Sequence, residues 1–305
     1  MLFERATVES DVKPEETTVP IVDIFCLMDD FCKHFHAYES NSQIGTKRKK
    51  TREPQLTLSE IMTIVVLFHR SGFKTFKEYY QECILGYCRC YFPKAVTYHR
   101  FVELMPRAFM PLVVLSQSLK GKETGKYFVD SAKLSVCHNL RIKRHKVFKG
   151  LASRGKTSTG WFFGFKLHFI INDKGEIMSF SLTPGHTHDT KTVKQMAQAL
   201  KGWIFGDKGY LSQSLSETLK QQGLLLFTRV RKNMEAKIMT PLQELYLSRR
   251  GLIETVIDQL KAICSIEHSR HRSPNNFLVN FVSSLIAYAC KHKKPSLNFS
   301  RLIPN

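Results

Sequence analysis

The stretch Lys126–Val136, KYFVDSAKLSV, decides how the rest of the chain is read. Tyr127, Phe128 and Val129 form a short apolar run interrupted by Asp130, the pattern of a buried strand that carries an acid. Gly202–Tyr210, GWIFGDKGY, repeats it: Trp203, Ile204 and Phe205 run into Asp207 between two glycines. A carboxylate so placed is costly unless it is paired or metal-bound, so each aspartate needs a reason. A third stretch, Tyr246–Lys261, YLSRRGLIETVIDQLK, reads as a helix. At ~100° per residue its Tyr246, Arg250, Glu254 and Lys261 fall within roughly 80° of one another. Leu252, Ile253, Val256, Ile257 and Leu260 supply the apolar surface beside them. An ordinary amphipathic helix with a solvated face explains that stretch equally well when it is taken alone.

Outward from these three, the second half of the chain alternates strands and helices. Lys126–Val136 is followed by a strand over Trp161–Ile171, a hairpin turn at Asn172–Gly175, and a third strand over 176–183. A helix follows over Asp189–Leu200, a strand over Gly202–Asp207, a helix over Leu211–Gln222 and a strand over Leu224–Val230. The order is βββαβαβα, a mixed five-stranded sheet flanked by helices. A right-handed crossover sets strand four beside strand one, at ~4.8 Å spacing, which makes Asp130 and Asp207 neighbours. The final helix can then lie across the sheet and lower Glu254 toward them. Thr240, Pro241 and Gln243 form a good helix entry. Ser248 and Gly251 weaken its interior, and a break there removes Tyr246 from the shared face while Glu254 and Lys261 stay on it.

The first half is helical. Ile21–Phe35 has helical spacing and leads into a polar stretch holding the run Lys47–Lys50, the composition of a solvated linker. Thr57 with Glu60 forms a capping box ahead of an apolar helix through His69, and Thr75 with Glu78 forms another after the turn at Ser71–Phe73. Two helices about a glycine turn fit a helix-turn-helix or an ordinary αα-hairpin. Lys94, Tyr98, His99 and Arg100 lie on a further short helix where they can meet DNA. Gly121–Gly125 reads as the linker, dividing a helical region (1–120) from a sheet-containing domain (126–290) and a basic tail (291–305).

The 305 residues carry 46 Lys and Arg against 26 Asp and Glu, a formal charge of +20. That surplus calls for a polyanionic partner, and nucleic acid is the commonest. The longest clean apolar run, Ile61–Phe68, is far short of the ~18 residues of a spanning helix. The N-terminus has no apolar signal core, which together with eight irregularly spaced cysteines points to a reducing, cytoplasmic setting without a zinc framework.

Three carboxylates from separate elements can hold two Mg²⁺ ions ~3.5–4 Å apart for phosphoryl transfer, with waters and phosphate oxygens completing the shell. In this order, Asp130, Asp207 and Glu254 resemble the catalytic acids of the RNase H-like domain of bacterial insertion-sequence DDE transposases. The text VDSAKL, FFGFKLHFI, SLTPGHTHD, FGDKGY, RKNM, IETVIDQLK and HSRHRS is similar to the insertion sequence 982 group in particular, and SEIMTIVVLFHRSGFKTF extends the likeness into the helical half. The resemblance implies that Asp130, Asp207 and Glu254 bind Mg²⁺, with Mn²⁺ as a substitute, and that Lys261 contacts the DNA backbone. In the wider superfamily a Tyr and an Arg precede the Glu in the pattern Y-x2-R-x3-E-x6-K. Arg250 and Lys261 match it, and Tyr246 lies one residue too far. Asp258 is a competing acid, but Glu254 alone sits seven residues before the lysine.

Two basic clusters flank these acids. Cys137–Gly160 contains Arg141, Lys143, Arg144, His145, Lys146, Lys149, Arg154 and Lys156, a connection long enough to be functional and cationic enough to track phosphates. A mobile solvated insertion is the plainer alternative. Arg270, His271 and Arg272 form the second cluster. His186, His188 and Asp189 are the densest potential metal group, readable as a transition-metal site, as the His pair of a nuclease that attaches DNA to a tyrosine, or as a turn and helix cap. The cap reading, with Asp189 capping and His188 and Asp189 lying behind the metal ligands, fits best.

The expected function is therefore a transposase that cuts at the terminal inverted repeats of its element and joins the ends to target DNA. It would work as a homodimer in the synaptic complex, in the bacterial cytoplasm at the nucleoid, with no membrane. A DNA-binding protein without catalysis and an RNase H-like nuclease without strand transfer are the alternatives.

Overall fold

The computed structural model describes residues 21–42, 55–158, 160–229, 238–267 and 271–297. The Lys47–Lys50 run, Arg270 and the end of the tail lie outside them.

Among the described residues before Lys126 every element is helical: α1 (Ile21–Ser42), α2 (Leu58–Phe68), a single turn α3 (Phe76–Glu78) running into a π-helix at Tyr79–Tyr87, α4 (Tyr98–Leu104) and α5 (Phe109–Ser118). The Thr57–Glu60 capping box starts α2, with Glu60 N–H donating to Thr57 Oγ1 at 3.1 Å and Thr57 N–H to Glu60 Oε2 at 2.7 Å. From Ile61 to Phe68 every side chain of α2 is buried, as are Tyr79, Tyr80, Cys83 and Ile84 of the π-helix. α2 is thus enclosed by the core and presents no face to a DNA groove. The segment that follows it buries one face and leaves Lys77, Gln81, Glu82 and Tyr87 exposed on the other.

The sheet has six strands: β1 (Lys126–Cys137), β2 (Ser153–Thr157), β3 (Gly160–Asn172), β4 (Ile177–Pro184), β5 (Gly202–Gly206) and β6 (Leu224–Thr228). The order is β2-β3-β1-β5-β6, with β4 also on β3. β2 pairs with the start of β3 and β4 with the remainder, on the same edge. β1 is antiparallel to β3 and parallel to β5, so the ends of β1 and β5 point the same way. The hairpin between β3 and β4 turns on Asn172, fully buried, whose Oδ1 accepts from the N–H groups of Lys174 and Glu176 at 3.0 and 2.9 Å. Gly175 holds φ at 68° there, a value that suits glycine.

Alternation along β1 divides the core into two layers. Tyr127 and Val129 face α6 (Asp189–Met196) and α7 (Gln213–Gln221). Phe128, Ala132 and Leu134 face the other way, with α8 (Pro241–Ser248), α9 (Gly251–Ala262) and α10 (Pro274–Ala289). On that side the core continues without interruption into the N-terminal helices, because α10 packs on α2 and α5 and Tyr288 Oη donates to Gly175 O at 2.7 Å. Residues 126–290 thus share their core with the helical segment through α10. Among the described residues no helix is long and apolar enough to cross a membrane.

Candidate active site

Asp130 has the same parity on β1 as Phe128 and Ala132, so it lies on the sheet face that α8 and α9 cover. Asp207 follows the last residue of the neighbouring β5, caps a short 3-10 turn (Lys208–Tyr210) and accepts the Lys208 N–H. Glu254 belongs to the first turn of α9, where a carboxylate suits the helix dipole, and is 57% exposed. The apolar side of α9, Ile253, Val256 and Leu260, is buried and anchors the helix.

One guanidinium spans two of the three acids. Arg250 Nη2 lies 2.9 Å from Glu254 Oε1, and Nη1 lies 3.5 Å from Asp130 Oδ2. Burial pushes the Asp130 carboxyl up to about 6; the Ser131 N–H and Arg250 pull it down, and the charges of Glu254 and Asp207 push it up again. The Asp130 carboxylate therefore feels both other acids. A cleft of about 320 Å³ opens beside it, lined by Asp207, Lys208, Arg229, Arg250 and Glu254 among others. Lys208 and Arg229 are cations of this cleft that sequence spacing does not single out, since each follows a strand end and only the fold turns it inward.

The donor set is all oxygen, which suits a hard cation such as Mg²⁺, and the raised Asp130 carboxyl marks a place where added positive charge is favourable. In the described residues no three His, Cys, Asp or Glu side chains form a ready-made ligand group, and Arg250 is the cation now shared by Asp130 and Glu254.

Other expected residues fall elsewhere. The chain breaks between α8 and α9, at Arg249 and Arg250, so Tyr246 is not on the Glu254 face. It is 4% exposed, stacked on Phe205 with ring centroids 5.6 Å apart and covered by Lys126; placed this way it cannot touch DNA. Lys261 pairs with Glu267 at 2.9 Å. Arg141, Lys143 and Arg144 sit on a 3-10 helix at Asn139–Arg144 and, with Lys146, Lys149 and Arg272, are exposed. The cap of α6 is His188, which accepts from the Thr190 N–H, with Asp189 as the first helical residue instead of the cap. Asp189 pairs with Lys166 at 3.1 Å and lies 3.5 Å from His168 Nδ1. That group is on the opposite sheet face from Asp130, because His168 lies opposite Ser131. Tyr210, buried beneath this junction, carries a hydroxyl whose ionisation burial and the nearby Asp189, Asp130 and Asp207 charges disfavour.

A family model described as Transposase DDE domain matches residues 120–274. The chain belongs to the transposase DDE domain family. The matched segment runs from just before β1 to the start of α10 and contains all three acids. No curated protein matches the chain. Solved structures similar to it include the piggyBac transposase synaptic complex with hairpin DNA, at 11% identity and TM-score 0.48, covering 90% of this chain and 74% of that one. The Mos1 strand transfer complex, at 11% identity and TM-score 0.23, covers 84% of this chain and 83% of that one. The Mos1 paired-end complex with left transposon end, also at 11% and 0.23, covers 88% of each. Membership of the DDE family rests on the domain match.

Proposed function

We propose that this DDE-family protein is a metal-dependent DNA transposase, with an RNase H-like catalytic domain, that hydrolyses phosphodiester bonds at the ends of its element and joins them to target DNA. The observation that carries the reading is that Asp207, at the end of β5, and Glu254, in the first turn of α9, line one cleft, while Arg250 joins Glu254 to Asp130 of β1, whose carboxyl is raised to about 6. These acids would hold a divalent ion, Mg²⁺ or Mn²⁺, which when bound supplies charge stabilisation at phosphate oxygens. The protein's own groups do the rest. Lys208 and Arg229 hold non-reacting phosphates against the cleft. Arg250 bridges Asp130 and Glu254 and fixes the orientation of both carboxylates.

Around the site, Lys261, Arg141, Lys143, Arg144, Lys146, Lys149, Arg270 and Arg272 are assigned to DNA contact. Residues 1–120 form the DNA-binding region, 126–290 the catalytic unit and 291–305 a basic tail. The insertion sequence 982 group, a bacterial nucleoid setting, terminal inverted repeats as the bound DNA and a homodimer across paired ends complete the proposal. Asp189 and His188 act in building the fold beside the site, not as ligands.

A strand-transfer assay with a labelled inverted repeat tests it. Cleavage and joining should appear with Mg²⁺ and vanish with EDTA or Asp207→Ala, while DNA binding persists. Cleavage without joining would replace the proposal by a nuclease. A second reading, a DNA-binding protein without catalysis, is favoured by Arg250 occupying the space between two of the acids. It is the outcome if binding is intact and neither product forms.

A further inference from the structure

The chain has two tryptophans, and the fold treats them oppositely. Trp203 packs edge-on against Phe205, Phe227 and Tyr246. Trp161, the second residue of β3, is 62% exposed. Leaving an indole in water forgoes burial worth roughly 1.5–3 kcal/mol for a large apolar side chain, so an exposed one on a rigid strand asks for an occupant. Lys156, paired directly across from it in the β2–β3 ladder, holds its Nζ 5.7 Å from the ring centroid. Asn139 Nδ2 donates to Trp161 O at 2.8 Å, tying the strand to the 3-10 helix that carries Arg141, Lys143 and Arg144, all exposed. The indole thus stands at the end of a cationic track, backed by an ammonium.

Position makes this informative. Trp161 and Phe169 have the same parity on β3, and Phe169 is the register partner of Asp130, so strand alternation puts Trp161 and Asp130 on one face. Trp161 and Phe169 are eight residue steps apart, ~27 Å along the strand, the length of about eight nucleotides of duplex at ~3.4 Å each. Phosphates along such a track satisfy the cations, and what meets an indole face beside an ammonium is a π-surface, the face of an unstacked base.

We propose that Trp161, with Lys156 behind it, is a base-stacking site for an unpaired DNA nucleotide roughly eight nucleotides from the bond at Asp130. The distance rests on the active-site reading above; the stacking does not. A duplex offers no free base face there, so the site discriminates frayed or single-stranded DNA from intact helix.

The test uses the full chain in EDTA, so that chemistry is silent whichever way the active-site reading falls. Intrinsic fluorescence of the wild type is titrated with a single-stranded oligonucleotide, with blunt duplex and with an abasic strand of equal charge; Trp161→Phe reports the Trp203 background. The expected result is Trp161 quenching by the base-bearing strand alone. Trp161→Ala should weaken binding of that strand roughly 5- to 150-fold while duplex binding stays within twofold, and Trp161→Phe should recover most of the loss by retaining a ring. A circular dichroism spectrum and thermal midpoint matching wild type show that the variants fold. Equal quenching by the abasic strand, or an unchanged affinity of Trp161→Ala for single strands, overturns the proposal. So does concentration-dependent quenching without DNA, which would assign the indole to a contact between copies. A 2-aminopurine walked along a strand anchored at the cleft then measures the distance, and a maximum far from eight nucleotides refutes the placement while leaving the stacking.

Discussion

The two faces of one sheet treat charge in opposite ways. On the α6 face, Asp189 is closed in between Lys166 and His168, and His168 Nε2 is within 2.9 Å of Thr183 Oγ1. Burial holds the His168 imidazole neutral, down at about 4, with Lys166 adding to the shift and Asp189 opposing it. On the α9 face, Asp130 sits beside Asp207 and Glu254 with Arg250 as the shared cation, and a cleft remains open. The first group is neutralised within the fold. The second sets its acids and its cations, Lys208, Arg229 and Arg250, around an open cleft instead of closing them on one another, the arrangement of a site that a ligand can enter.

The comparison breaks most visibly in catalysis. Asp130→Asn, Asp207→Ala or Glu254→Gln should each lower cleavage of an end-labelled repeat at least about 10³-fold, the scale on which removing a charge-stabilising group acts, while variants at Asp189 lose activity only in proportion to lost folded protein. Equal, fold-independent losses on both faces would erase the distinction.

Next in size is stability at neutral pH. The folded pKa of Asp130 lies above its ordinary value of 3.8, so the native state binds more protons than the unfolded one between about pH 3.8 and 6. Stability therefore rises as pH falls through that window, and the full cost is present at pH 7. Asp130→Asn should raise unfolding free energy at pH 7 by up to about 3 kcal/mol, measured by urea denaturation. A destabilised variant contradicts the idea that the acid is held against its own preference.

His168 has the opposite sign. Its folded pKa lies below the ordinary 6.5, so the unfolded state binds more protons between about pH 4 and 6.5, and its contribution of about 3 kcal/mol is complete above 6.5 and lost as pH falls. The two slopes oppose each other in the wild type. Asp130→Asn should expose a steeper acid loss, and His168→Gln should remove it, in urea midpoints from pH 7 to 4. The smallest effect is a metal shift: Mn²⁺ or Mg²⁺ at a hundredfold excess over Kd should stabilise the wild type by about 2.7 kcal/mol and Asp130→Asn by little, read as a change in thermal midpoint.

Much of the fold could be read from apolar runs. Tyr127–Val129, Trp203–Phe205 and Leu224–Leu226 are apolar runs whose composition leaves few alternatives to a strand, and they fall in β1 and β5, at the centre of the sheet, and in β6, at its edge. β2 was hidden because SRGKT has no apolar alternation; only Gly155 is buried, and a polar edge strand is held by its ladder and not by a hydrophobic face. The α8–α9 break was marked by Ser248 and Gly251, yet only packing decides that Tyr246 turns into the Phe205 stack. Asp130, Asp207 and Glu254 could be picked out because each interrupts or borders a buried run. The Lys166, His168 and Asp189 group could not, since it joins a strand interior to a helix start through pairings no local spacing encodes. The same is true of Lys208 and Arg229.

Helix α10 carries a temporal consequence. Because it is sandwiched against α2 and α5 and its Tyr288 hydroxyl closes the β3–β4 hairpin, elements made early, α2 and α5, lack one of their packing partners until α10 has left the ribosome. Their exposed apolar surface must wait in that interval, and a product truncated before Pro274 lacks the piece that locks both halves together.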